Sequence, residues 1–399
     1  MKEKNRSGNQ PADIYSVRKQ KKRKRILKRS LFCVLLVTAV LVLYQRRDVW
    51  LPKLETIGVR HQSHYQSDPA STDGNFPLYV DGSTDYQTGS IGGDLALLSD
   101  SYLYLYETGG SQVAARQHTY AGAMLRTSGD YGLIYEMNGT RFRLETTRST
   151  RYEKNTADHI LFGRVAEDGT AALLTASDTC ACKLLVFNPK GQQIYERDCI
   201  EQLAELEFLP DAKGCVAAAV QADGGVMQSV LHAYSFSQKE ELWNSQPLDM
   251  LAVSVYNTEG DGIFVLGDTE ACYLSSNGAV LSTYVYPDRL ESGVCDFSGA
   301  AVLLLSNTEK RTHTAVILNG SSKEPVVKQY EKEVKGVGLL PESRQVLLMM
   351  RNQIAALSYD GAVVQETDIR EGSDSFLRIG NYLFLTDYGR IDRVTFRSQ

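Results

Sequence analysis

Residues 160–198 read ILFGRVAEDGTAALLTASDTCACKLLVFNPKGQQIYERD. Four apolar runs stand in this stretch: Ile160 to Val165, Ala171 to Thr175, Leu184 to Phe187 and Gln193 to Tyr195. Glu167-Asp168-Gly169 separates the first two and Asn188-Pro189-Lys190-Gly191 the last two. Short runs rich in Val, Leu, Ile and Phe, broken by Asp-Gly and Pro-x-Gly signals, are antiparallel strands joined by tight turns. Four such strands make one blade-like sheet.

The same order returns downstream in 206–243, 252–284, 294–330 and 337–367, and upstream in 124–146 and 86–116. Gly110, Gly191, Gly278, Gly320 and Gly361 each close a short polar loop, at intervals of 81, 87, 42 and 41 residues. The underlying period is therefore about 41 residues, with two copies lacking the glycine. After Thr367 the chain supplies three more strands between Phe376 and Phe396 and stops, one short of a blade. Phe76-Pro77-Leu78-Tyr79-Val80 is the spare extended segment. The pattern predicts an all-β protein, an eight-bladed β-propeller closed by that N-terminal strand, with seven blades as the alternative. Helix is expected only at Ile200 to Leu206.

Blade packing explains the texture of the strands. Runs such as Val302 to Leu305 and Val346 to Met350 read as strands buried on both faces. Tyr102, Tyr104 and Tyr106 point to one side and Leu103 and Leu105 to the other, and packing between neighbouring blades is the expected use of that tyrosine ladder.

The first part of the chain has a different character. Residues 1–29 hold 12 Lys and Arg against Glu3 and Asp13, a net +10 within a total of −5, which leaves −15 on the rest. An acidic body excludes nucleic acid as its main ligand. The basic block runs directly into Leu31 to Tyr44, an apolar stretch of 14 residues, about 21 Å of helix. Counted from Ile26 to Tyr44 it spans about 28 Å, which suits a bilayer when flanking Lys and Arg reach the interfaces. Basic flanks stay cytoplasmic, and no small-residue cleavage site follows Tyr44. The expected organisation is a basic cytoplasmic tail (1–29), a transmembrane helix (30–45), a polar linker (46–75) and an extracytoplasmic propeller (76–399), in a single-pass cell-membrane protein.

Six cysteines fall in the exported part: Cys180, Cys182, Cys199, Cys215, Cys272 and Cys295. In a domain of this size they are expected as small buried hydrophobes, and their disulfide status stays open. Cys180 and Cys182, two apart on a strand, face one side and do not bridge each other, whereas Cys199 beyond the next hairpin is a candidate partner for one of them. His61 and His64 lie in the linker, and His118, His159, His232 and His313 show no metal-ligand spacing. No G-x-S-x-G, H-E-x-x-H, phosphate-loop or dinucleotide motif occurs. Asp168, Asp211, Asp223, Asp261 and Asp360 fall in turns, where Asp serves the local backbone. No catalytic, cofactor-binding or metal-binding residue is assigned, and no cofactor is expected.

In repeat rhythm, residues 76–399 resemble the quinoprotein-like and WD40-like propeller superfamily. Recurrent Gly-His and Trp-Asp dipeptides are absent, and the tryptophans are only Trp50 and Trp243. The layout of basic tail, short anchor, polar stalk and divergent propeller is similar to that of uncharacterised membrane-anchored propeller proteins of Gram-positive bacteria. A regular repeat scaffold without a reactive constellation points to a non-enzymatic binding or scaffold module for an envelope protein, peptide or glycan. The alternative is a lyase, lactonase or glycosidase working at the central channel, which paired acidic or His side chains there would favour.

Overall fold

The computed structural model describes residues 75–80, 86–321 and 323–396. The expected tail, the transmembrane segment with Cys33, and all of the linker but Asn75 lie outside them, as do His61 and His64. Among the described residues no helix is long and apolar enough to cross a membrane.

Eight four-stranded antiparallel sheets follow one another along the chain. Blades 1 to 7 are 87–117, 123–155, 160–199, 202–244, 252–285, 289–330 and 334–368, and each pairs its strands in sequence order. Blade 8 holds the strands Ser375–Ile379, Tyr382–Asp387 and Arg390–Thr395. Its fourth strand is Leu78–Tyr79, antiparallel to Arg390–Thr395 with Leu78 opposite Ile391 and Tyr79 opposite Arg390.

The core is divided the way a ring requires. Eight apolar clusters of buried residues each straddle two neighbouring blades. The cluster joining blades 8 and 1 contains Phe76, Leu95, Leu97, Ile379, Phe384 and Ile391. Tyr104 and Tyr106 pack against it, while Leu103 and Leu105 belong to the next cluster, between blades 1 and 2. The tyrosine ladder is therefore blade packing, with the Tyr102 and Tyr104 rings 5.5 Å apart.

The long apolar runs prove to be second strands. Ala300–Asn307 is buried at Ala300 to Leu305, and Gln345–Met350 at every residue, because a sheet partner lies on each edge and a neighbouring blade on each face. First strands contact the first strands of adjacent blades and leave their other edge to the ring axis, so they alternate between buried and half-buried. Near the axis the strands crowd together. A Cβ on Gly338 would meet the Phe376 ring at 2.9 Å, so only glycine fits there without a shift.

The turn glycines behave as their spacing implied. Gly110, Gly191, Gly278, Gly320 and Gly361 all join third to fourth strands with φ between 77° and 87°, a conformation strained for any other residue. The expected helix at Ile200 to Leu206 is a strand instead, Gln202–Phe208, and helix among the described residues is confined to two three-residue 3-10 turns. Its register shifts between Leu203 and Glu205. The extra residue sets Leu203 and Leu206 three apart on one buried face, which imitates a helical period.

Candidate functional site

The ring has two unlike ends. Tight turns between first and second and between third and fourth strands occupy one end, and we call it the turn face. The other, the crossover face, carries the loops between second and third strands and the links to the next blade. On the turn face the acidic residues are structural: Asp168 accepts from Thr170 N–H at 2.8 Å and Asp211 from Lys213 N–H at 3.0 Å.

The crossover face is irregular over blades 3 to 5. Blade 4 extends its central strands, Gly214–Asp223 and Val226–Ser235, to ten residues each, against at most eight in the other blades. Ser229 and Leu248 exchange backbone hydrogen bonds at the base of the extension, and the Gln228 amide donates to Asp249 at 2.6 Å. Val226 and Met227 are exposed at its tip; Ile200, 91 % exposed, stands in the link before blade 4, and Val253 is exposed at the start of blade 5. The surrounding loops, 176–181, 200–201, 224–225, 245–251, 268–269 and 286–288, carry Asp178, Glu201, Asp249, Asp268 and Asp288 and neither Lys nor Arg. Burial pushes the Glu270 carboxyl up, and Asp249 and Asp268 push it further. Exposed apolar side chains within an acidic, rigidly mounted surface suit a partner that brings cationic and apolar groups together.

A second concentration of charge lies on first strands near the axis. Arg164 Nη2 reaches Glu205 at 3.2 Å and Glu207 at 2.9 Å, and Arg164 Nε donates to the Leu206 carbonyl at 3.0 Å. Burial raises both carboxyls from their ordinary value and Arg164 opposes the rise. Tyr256 of blade 5 lies within electrostatic reach of Arg164 and Glu205, and Tyr135 of blade 2 within reach of Arg126, Arg164 and Glu205. Four consecutive blades thus contribute to one polar cluster. One guanidinium spanning two carboxylates neutralises them in part and holds them in place. The sequence pattern did not single out these residues: Glu205 sits in the segment expected to be helical and Glu207 directly follows it.

His118 and His232 are bound into local structure, whereas His159 is exposed. His118 accepts the Tyr120 N–H at 3.3 Å, and burial lowers its pKa. His232 lies between Glu201, 2.8 Å from Nε2, and Glu241, 3.0 Å from Nδ1, with its ring stacked on Tyr234. On the outer rim, Lys154, Asp158, Lys183 and Glu196 line a shallow groove of about 460 Å³ between blades 2 and 3.

Comparison with solved structures places the fold among known propellers. BamB from Moraxella catarrhalis is 12 % identical, with 82 % of this chain and 98 % of that one covered and a TM-score of 0.56. Sqt1 from Chaetomium thermophilum, solved bound to the N-terminus of the ribosomal protein L10, is 14 % identical over 80 % of this chain and 98 % of that one, with a TM-score of 0.54. The dihydro-heme d1 dehydrogenase NirN, in complex with DHE, is 12 % identical over 77 % and 68 %, also at 0.54. At such identities the likeness is one of fold alone. No curated protein matches the sequence. The profile of a family of unknown function, DUF5711, matches residues 78–396, and the chain belongs to that family.

Proposed function

We propose that this protein is a membrane-tethered, extracytoplasmic scaffold that holds a protein segment bearing cationic and apolar side chains on the crossover face of blades 3 to 5. The observation that carries the reading is the extended blade 4 hairpin, whose exposed Val226 and Met227 stand among acidic loops without a basic residue. Rigid propellers present such loops with little ordering cost, so specificity resides in the loop chemistry. Sqt1, which binds a protein N-terminus, is a propeller of the same general fold and lends the reading support. The anchoring part rests on the Lys/Arg block beside the apolar run Leu31 to Tyr44. The reading includes a seal: Leu78–Tyr79, paired with the last strand, holds the ring shut.

A photo-crosslinking residue at Met227, in the full chain expressed in its membrane, should capture an envelope protein. The same probe at Phe297, exposed on the turn face, should not. Charge reversal by Asp249→Lys with Asp268→Lys should abolish the Met227 product. Equal capture from both positions, or capture indifferent to the reversals, would overturn the assignment. For the anchor, the chain should leave the membrane only with detergent, and external protease should digest the propeller.

A second reading, hydrolytic or lyase chemistry at the channel, is favoured by one observation. Glu205 and Glu207 are adjacent carboxyls, both raised by burial, as general acids require. Turnover of a glycan or lactone panel, lost in Glu205→Gln and Glu207→Gln, would establish it over the scaffold.

A further inference from the structure

Three cysteines meet where the outermost strand of blade 3 ends. Cys182 opens the third strand and Cys199 closes the fourth, and the two stand directly opposite each other in the antiparallel ladder. Residues so paired have Cα atoms about 4.5–5.5 Å apart, inside the span that a disulfide bridges. Their side chains share a face, with the Cys182 thiol donating to the Glu201 carbonyl at 3.6 Å and the Cys199 thiol to the Arg197 carbonyl at 3.8 Å. The Cys182 sulfur also accepts the Leu203 N–H at 3.4 Å. Cys180 is held differently: its thiol turns to Ser177 Oγ at 3.1 Å and to the Cys182 carbonyl at 3.3 Å.

We propose that Cys182 and Cys199 are a redox pair that closes to a cross-strand disulfide when the folded protein meets a small disulfide oxidant, clamping the outermost strand of blade 3 to the sheet. The step balances as thiol–disulfide exchange. The Cys182 thiolate attacks one sulfur of the oxidant RSSR, forming a mixed disulfide and expelling RS⁻; the Cys199 thiolate attacks the Cys182 sulfur and expels the second. The protein loses two electrons and two protons, and the oxidant leaves as two RSH. The environment favours Cys182 as the first nucleophile, since the neighbouring Cys199 side chain lowers its pKa against the effect of burial and the Leu203 N–H that its sulfur accepts lowers it further. The Cys199 thiol is correspondingly raised, by its neighbour Cys182 first and by burial next. Both sulfurs are buried, so access comes through opening of the strand end beside exposed Ile200.

The pairing is a property of the fold and is independent of the proposed partner or location. It leaves Cys180, Cys215, Cys272 and Cys295 as thiols: Cys215 shares the cluster of Cys182 and Cys199 but sits on the second strand of blade 4, Cys272 and Cys295 are buried in other interfaces, and burial raises all three.

Purified full-length protein in detergent, fully reduced and then incubated folded with oxidised glutathione, should lose two hydrogens from its intact mass. Peptide mapping should join the peptide carrying Cys182 to the one carrying Cys199. Cys180→Ser should retain this product, whereas Cys182→Ser and Cys199→Ser should each lose it. The wild-type Tm should rise on oxidation by about 2–4 °C or more and fall back on reduction, a readout that needs no variant. An unchanged intact mass under excess oxidant, or a crosslink that survives in Cys182→Ser and disappears in Cys180→Ser, would overturn the proposal.

Discussion

The ring of Phe76 rests against that of Phe384 with centroids 5.4 Å apart, although the two residues come from opposite ends of the described chain. Phe76 is 5 % exposed, and the Arg393 guanidinium lies 5.4 Å from the centre of its ring. The packing joins the segment preceding blade 1 to the blade that completes the circle.

Phe76→Ala should therefore destabilise the whole propeller, not only its first strand. Removing a buried phenylalanine costs about 3–5 kcal/mol. Equilibrium denaturation read by far-UV circular dichroism should show one cooperative transition at lower denaturant. An unchanged midpoint would show that the N-terminal strand contributes nothing to closure.

Two glycines of one inner strand should respond differently to a methyl group. A Cβ on Gly338 would lie 2.9 Å from the Phe376 ring, whereas on Gly336 its nearest neighbour is the same ring at 3.8 Å. Gly338→Ala should cost about 1–3 kcal/mol by overpacking, and Gly336→Ala should be near neutral. Thermal unfolding of the two variants side by side distinguishes this from a general intolerance of the strand.

Glu145 is fully buried between two arginines, 2.8 Å from Arg116 Nη1 and 2.8 Å from Arg143 Nε, and it accepts the Thr150 hydroxyl at 2.9 Å. Glu145→Gln removes the carboxylate that contacts both guanidiniums and should cost about 3–5 kcal/mol. Restoration of stability by Glu145→Gln combined with Arg143→Met, measured as a double-mutant cycle, would identify the stranded charge as the cause.

The channel carboxyls carry a pH signature. Burial raises Glu205 and Glu207 above 4.5 in the folded chain, so above that pH the native state binds protons that the unfolded state has released. Stability contributed by these groups is present at low pH and is lost as pH rises from 4.5 through their raised values. A Glu205→Gln/Glu207→Gln variant should show a flatter dependence of Tm on pH across about 4 to 7. Identical slopes in variant and wild type would reject the assignment.

Strand count, turn positions and the division into repeats were legible in the residues, because each blade is built by local rules. Gly191 and Gly278 mark third turns by themselves, since a turn that needs positive φ selects glycine wherever it occurs. The Tyr102 to Tyr106 ladder announced a two-faced strand for the same reason: alternation is a property of the single strand. The segment from Gln202 to Phe208 misled because one bulged residue changed its period.

What the chain order alone determined is the repeat of four-stranded sheets, with eight favoured over seven, and the charge contrast between the basic tail and the acidic body; both depend on residues near one another in sequence. Only the tertiary structure decided that Phe76 meets Phe384, that Arg164 spans Glu205 and Glu207, that Cys182 rather than Cys180 faces Cys199, and that the acidic loops of blades 3 to 5 surround an apolar hairpin tip. Each of these depends on ladder register or on the angle between blades. Register shifts by a single residue exchange one face of a strand for the other, and blade angles are set by the volume of side chains packed between sheets, a quantity to which distant parts of the chain contribute together.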